Sequence, residues 1–186
     1  MAKHICPWWL GYLLASPMRR WMMQSPEKLL APYALEGMTI LEPGPGMGFF
    51  TLPLARMVGA NGRVVTVDVQ PKMLEGLRRR ARRAGLLSRI ETRLVPFDSM
   101  QIDDLNDAVD FVLAFAMVHE LPLVERFFAE TVPTLRMGGL MLLAEPAGHV
   151  TPEEFEVELA SARKAGLEVV TRPEIRRSLA AVLRKL

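Results

Sequence analysis

Residues 40–49 read Ile-Leu-Glu-Pro-Gly-Pro-Gly-Met-Gly-Phe and contain the most informative signal for the fold. A short apolar strand ends at the acid Glu42, and three alternating glycines, Gly44, Gly46 and Gly48, precede a helix. Glycines let the backbone turn tightly and let a ligand approach without a Cβ in the way. The N-terminus of the following helix offers unpaired N–H groups. The pattern therefore predicts a ligand-binding turn between a strand and a helix.

The acids around this turn indicate the chemistry of the ligand. The spacing Gly-x-Gly-x-Gly differs from the Gly-x-Gly-x-x-Gly of dinucleotide-binding enzymes. Glu42 stands two residues before the first glycine, where a carboxylate suits an ammonium group better than a pyrophosphate. Asp68 follows about 20 residues beyond the loop, at a strand end where a carboxylate can bind both ribose hydroxyls. Taken alone, Asp68 is equally compatible with a strand-end cap.

Composition narrows the class of protein. The chain has 186 residues, of which 50% are hydrophobic and 24% are charged, which fits one globular domain with a buried core. The net charge of +2 does not by itself indicate nucleic acid or an anionic surface. The single cysteine, Cys6, excludes an internal disulfide. No apolar run reaches the roughly 20 residues that cross a bilayer, and we expect a cytoplasmic protein.

Strands and helices are expected to alternate along the chain. The hydrophobic pattern predicts helices at residues 26–33, 48–58, 71–85, 122–135 and 152–165. It predicts strands at residues 38–42, 64–69, 89–95, 109–116, 140–144, 167–171 and 179–183. Such alternation is typical of βαβ units. We therefore expect an α/β fold with a mostly parallel seven-stranded sheet and an antiparallel hairpin at its edge.

Five stretches together resemble the class I S-adenosylmethionine-dependent methyltransferases, in the branch that acts on small molecules. They are residues 41–48, 65–69, 97–99, 110–119 and 136–140. The resemblance covers residues 27–186 and implies a three-layer Rossmann-like sandwich that binds S-adenosylmethionine. Residues 1–26 are then predicted to form a helical cap rich in aromatic side chains, including Trp8, Trp9 and Trp21. A lid over the active site, a dimer contact and a helix on a membrane surface are the roles open to this cap.

The resemblance implies a set of cofactor-binding residues. Glu42 and the loop backbone would hold the methionine ammonium end, and Asp68 would bind the ribose beside Val69, which flanks the adenine. Asp98 would meet the adenine amino group, with Ser99 or Phe97 beside it. The full implied set is Glu42, Gly44, Gly46, Gly48, Asp68, Val69, Asp98, Ser99, Ala114 and Phe115, of which the last two would line the pocket below the sulfonium.

The catalytic candidates are His119 and Glu120, which follow the fourth predicted strand. Methyl transfer is an in-line displacement that depends on holding the acceptor close to the methyl group. A general base is needed only if the acceptor must lose a proton. His119 is also compatible with a cap on the helix near Pro122. Glu145 and His149 follow the fifth strand and are expected at the same edge of the sheet.

The expected acceptor is a small or lipid-like molecule. An RNA acceptor is the first alternative, since five arginines lie between Arg78 and Arg83, although a solvated helix face is the better explanation of this run. A non-catalytic sensor or partner protein that binds S-adenosylmethionine is the second. A homodimer is compatible with either, and no metal site is expected, because His4, Cys6, His119 and Glu120 match no compact zinc spacing.

Overall fold

The computed structural model describes residues 25–186. Within this range the chain divides into two compact units, residues 25–100 and 101–186. The predicted cap of residues 1–26 lies almost entirely outside the described residues, so its boundary and its role stay predictions. None of the described helices is both long enough and apolar enough to cross a membrane.

The first unit alternates strands and helices as predicted. Its elements are α1 (Pro26–Leu30), β1 (Thr39–Pro43), α2 (Thr51–Met57), β2 (Arg63–Asp68), α3 (Pro71–Arg83) and β3 (Ile90–Leu94). The strands pair in parallel in the order β3-β2-β1, with Glu42 opposite Thr66 and Asp68 opposite Leu94. Parallel pairing brings the carboxyl ends of these strands to one edge.

Helix α3 is amphipathic and explains the arginine run. Its buried face includes Leu74 and Leu77, whereas most of the arginines point to solvent. Two arginines nevertheless bind the protein itself. Arg78 Nε donates to the Thr92 hydroxyl at 2.6 Å, and Arg80 donates to the carbonyl of Met47. The helix is thus tied to β3 and to the glycine loop.

The second unit contains the antiparallel edge. Its elements are β4 (Val109–Phe115), α4 (Val124–Thr131), β5 (Leu135–Pro146), α5 (Pro152–Lys164), β6 (Leu167–Thr171) and β7 (Ser178–Lys185). Strands β4 and β5 are parallel, while β7 lies antiparallel between β5 and β6. The strand order of the seven-stranded sheet is β3-β2-β1-β4-β5-β7-β6. The predicted mostly parallel α/β sheet with an antiparallel edge hairpin is confirmed.

Three predicted helices and one predicted strand had wrong bounds. The helix expected at residues 122–135 is α4 alone, and a 3-10 turn follows at Val132–Thr134. Pro133 explains this end, because proline lacks an N–H and clashes with the carbonyl four residues earlier. Leu135 instead starts β5 by pairing with Val109, and an irregularity separates that pair from the next one, between Phe111 and Leu140.

The glycine loop also shortens the helix that follows it. Helix α2 begins at Thr51, whereas the sequence pattern placed its start at Gly48. Gly48 has a φ of 84°, which lies outside the right-handed helical region. The first helix likewise ends at Leu30 and does not continue to Tyr33.

The start of α5 gives a stability prediction. The Thr151 hydroxyl accepts a hydrogen bond from the Glu154 amide at 3.2 Å, and the Glu154 carboxylate accepts one from the Thr151 amide at 2.9 Å. We expect Thr151→Ala to lower the free energy of unfolding by about 1 kcal/mol, because a backbone donor loses its partner. Urea denaturation measures the change. Thr151→Ser keeps the hydroxyl, and an equal loss in that variant would contradict the capping explanation.

Candidate functional site

The glycine loop adopts a backbone that only glycine accommodates easily. Gly44, Gly46 and Gly48 have φ values of 65°, 54° and 84°, in the left-handed region that side chains disfavour. A Cβ on Gly48 would overlap the side chain of Leu77, so that glycine also allows α3 to pack closely. A Cβ on Gly46 would meet no heavy atom within 4 Å in the part of the chain that the structure describes. The loop is therefore open to a ligand at Gly46.

Glu42 is a buried carboxyl group at the end of β1. Its exposed fraction is 3%, and among residues 25–186 its Oε2 atom has no hydrogen-bond partner. Burial raises the pKa of Glu42 to about 7, and the Thr51 hydroxyl offsets only part of that effect. Residues 43–50 contain no polar side chain, so the loop itself supplies no side-chain donor. A buried acceptor without a donor is rare in proteins and fits a donor that a ligand brings.

Asp68 lies where β2 ends, half-buried. Its Oδ1 accepts a hydrogen bond from the Gln70 amide at 2.8 Å, which fixes the carboxylate just before α3 begins. Asp68 thus caps the end of β2, which is the alternative that the sequence left open for it. The same hydrogen bond orients the Asp68 carboxylate, which is expected to bind ribose. Val69 follows half-buried, while Asp98 is exposed in the turn after β3 and Ser99 is half-buried.

The remaining predicted residues belong to the second unit. Ala114 is fully buried within β4, and Phe115 is half-buried at the end of that strand. His119 and Glu120 lie in a 3-10 turn, Val118–Glu120. Helix α4 begins at Val124 without a side-chain cap. His119 therefore does not cap this helix, and that alternative is wrong.

His119 is paired with Glu145, at the end of β5. Its ring nitrogen Nδ1 hydrogen-bonds Oε2 of this carboxylate, which is fully buried. Burial lowers the pKa of His119, but the bond to Glu145 and the negative charges of Glu145, Glu120 and Glu158 raise it above its ordinary value. The ring of His149 packs against His119 edge to face, with the centroids 5.5 Å apart. Glu120, predicted as a catalytic partner, acts on His119 through its charge.

Sequence reasoning named Glu145 without giving it a role. The position of Glu145 at the carboxyl end of a strand next to β4 was the signal that could have suggested a contact with His119. The register of β4 and β5 is what brings His119 and Glu145 together. Among residues 25–186, no group of three or more His, Cys, Asp or Glu side chains is arranged to hold a metal ion.

Comparison with known proteins identifies the family. Residues 40–139 match the family model described as "Methyltransferase domain". A ubiquinone biosynthesis O-methyltransferase of Methylocella silvestris is 33% identical over 119 residues, which are 64% of this chain and 44% of the relative. An arsenite methyltransferase of Halobacterium salinarum is 29% identical over 109 residues, which are 59% of this chain and 27% of the relative. The chain thus matches less than half the length of each of these two relatives.

A solved structure extends the likeness to nearly the whole chain. A SAM-dependent methyltransferase from Aquifex aeolicus superposes with a TM-score of 0.83 at 25% identity, and the match covers 97% of this chain and 98% of that one. The chain belongs to the methyltransferase domain family, as its sequence predicted. Family membership and this structure give S-adenosylmethionine as the cofactor. The residues of the first unit fit it, because Glu42 presents a buried acceptor without a donor at an open glycine loop.

The burial of Glu42 predicts a pH-dependent cost in stability. Between about pH 4.5 and about pH 7 the folded protein keeps a proton that the unfolded chain has released, so raising the pH favours unfolding. We expect Glu42→Gln to raise the free energy of unfolding of the cofactor-free protein more at pH 8 than at pH 5. The effects of the substitution at the two pH values should differ by up to about 3 kcal/mol. Urea denaturation at the two pH values measures this. The matched exposed variant Glu75→Gln should show no such difference, and a pH-independent effect of Glu42→Gln would contradict the raised pKa.

Proposed function

We propose that this protein transfers a methyl group from S-adenosylmethionine to a small or lipid-like acceptor. The observation that carries the proposal is the Glu42 carboxyl group, buried without a donor for Oε2. A loop of only apolar residues and glycine follows it. An ammonium group supplies the missing donor and a compensating charge, as a buried carboxylate requires.

The cofactor would be held by residues at and after strand ends. Glu42 and the backbone of the glycine loop bind the methionine end, and Asp68 accepts hydrogen bonds from the ribose hydroxyls. Val69 flanks the adenine, and Asp98 and Ser99 meet its amino edge. Ala114 and Phe115 line the pocket near the sulfonium. When bound, the cofactor supplies an electrophilic methyl group on a positively charged sulfur.

Two of the similar proteins support a small acceptor. Their names refer to ubiquinone biosynthesis and to arsenite, and the segment at residues 110–119 resembles the small-molecule branch of the family. The structure of α3 favours RNA less, because Arg78 and Arg80 are engaged with Thr92 and Met47. An acceptor lid formed by residues 1–26, a homodimer and a cytoplasmic location stay predictions.

The ribose contact is tested by calorimetric titration with S-adenosylmethionine. We expect Asp68→Ala to weaken binding at least about tenfold, which corresponds to about 1.4 kcal/mol, since the ribose hydroxyls lose their charged acceptor. Asp103→Ala, which removes an exposed aspartate, serves as the control and should bind as the wild type does. Absence of binding by folded wild-type protein would overturn the proposed function.

The ammonium contact predicts a pH dependence of cofactor affinity. Glu42 has a pKa of about 7 in the free protein and must ionise to attract the ammonium group. Affinity should therefore rise by about eightfold between about pH 6 and about pH 7.5. Glu42→Gln should bind more weakly and show little pH dependence over this range. The same titrations measure both effects, and a wild-type affinity that does not change with pH would argue against the Glu42 contact.

A further inference from the structure

Glu145 is a buried carboxylate with a full set of donors. It is 0% exposed at the end of β5. Its Oε1 accepts from the Met117 amide at 3.2 Å and from the Val118 amide at 2.9 Å, and its Oε2 binds Nδ1 of His119. An ionised carboxylate accepts hydrogen bonds and donates none. The ring nitrogen that faces it is therefore the one that carries the hydrogen.

The backbone around His119 is held in a strained conformation. Ala116, the first residue after β4, has a φ of 56°, which lies in the left-handed region that residues other than glycine rarely adopt. Its amide donates to the Ala144 carbonyl at 2.7 Å, and the next two amides point at Glu145. Strain of this kind persists where the surroundings enforce it and is concentrated at functional sites.

These contacts select one tautomer of His119. With the hydrogen on Nδ1 directed to Glu145, the neutral ring keeps its lone pair on Nε2. His149 packs against the ring with an interplanar angle of 82° and restricts its rotation. The charged groups acting on the ring are Glu145 on β5, Glu158 on α5 and Glu120 on its own turn. All three are acids, so they stabilise the imidazolium that forms when Nε2 accepts a proton.

We propose that Glu145 is a positioning residue that makes His119 the general base for an acceptor with a weakly acidic hydroxyl, such as a phenol. This inference rests on the proposed methyl transfer. The hydroxyl proton passes to Nε2 of His119 as the oxygen forms its bond to the methyl carbon. The carbon–sulfur bond breaks with its electron pair on sulfur, and the imidazolium later releases the proton to solvent.

The pairing distinguishes this acceptor class from acceptors that lose no proton. A carboxylate or a thiolate already presents a lone pair, so a buried and oriented base would add nothing to its reaction. A phenol has a pKa near that of tyrosine, about 10, and a histidine base is matched to removing its proton as charge develops. The donors hold Glu145 in place, and Glu145 orients His119 as a base. A methyl acceptor that must lose a hydroxyl proton explains this arrangement.

The positioning role is tested first without cofactor or acceptor, by NMR of protein labelled with ¹⁵N-histidine. The chain has three histidines, and His119→Asn assigns the signals of His119. In the wild type we expect the neutral ring to carry its hydrogen on Nδ1 and to titrate above its ordinary pKa. Glu145→Gln should lower this pKa and move hydrogen to Nε2. The exposed α5 variant Glu153→Gln should change neither, and an unchanged His119 spectrum in Glu145→Gln would overturn the proposal.

The acceptor class is tested by methyl transfer to catechol and to benzoate, which present a phenol and a carboxylate. We expect transfer to catechol, with kcat at least about 100-fold lower in Glu145→Gln and with cofactor affinity and KM little changed. His119→Asn keeps a donor for Glu145 but has no base, so it should fold, bind cofactor and lose a similar factor. Glu153→Gln should behave as the wild type does.

The outcomes distinguish failure of the positioning role, of the acceptor class and of the proposed function. Full turnover of catechol by Glu145→Gln would overturn the positioning role, as would a loss that merely follows weaker cofactor binding. Transfer to benzoate with none to catechol, or no transfer to catechol by protein that binds the cofactor, would overturn the acceptor class. Folded wild-type protein that binds no S-adenosylmethionine would instead contradict the proposed function and leave the NMR result valid.

Discussion

The first unit buries the carboxyl group of Glu42, whose Oε2 atom finds no donor among the described residues. Glu42 is fixed at the end of β1 by pairing opposite Thr66, and the chain then turns through residues that have no polar side chain. The buried carboxyl group therefore either keeps its proton or stays charged without a partner, and its pKa of about 7 expresses that cost. A protein gives up stability in this way where a ligand later supplies the missing contact.

The second unit also buries a glutamate, Glu145, but supplies it with hydrogen-bond donors. Glu145 also lies at the end of a buried strand, yet three nitrogen atoms surround its two oxygens. Its bonds to Met117 and Val118 fix the turn, and its bond to His119 fixes the ring. In the proposed function, Glu42 is kept for a ligand, while Glu145 organises the protein. The two glutamates differ in the donors that reach them, since the turn after β4 supplies three nitrogens to Glu145 and the turn after β1 supplies none to Oε2 of Glu42.

Local sequence rules predicted most elements because their signals lie within a few residues. The Thr151 capping box and the proline at the start of α3 are such signals, and both helices begin where they were expected. The rules failed at residues 131–140, where Leu135 pairs with Val109, 26 positions earlier. A pairing over that distance overrides the local pattern, and no window of sequence shows it.

The family, the glycine loop and the acids expected at the cofactor could be predicted from the sequence, because they depend on residue types at short, fixed spacings. The sequence also placed His119, Glu145 and His149 near strand ends. The absence of a donor for Oε2 of Glu42 among the described residues could be seen only in the folded structure, as could the pairing of His119 with Glu145. Burial and strand register arise from the packing of distant segments, and they set the pKa of Glu42 and the partner of His119.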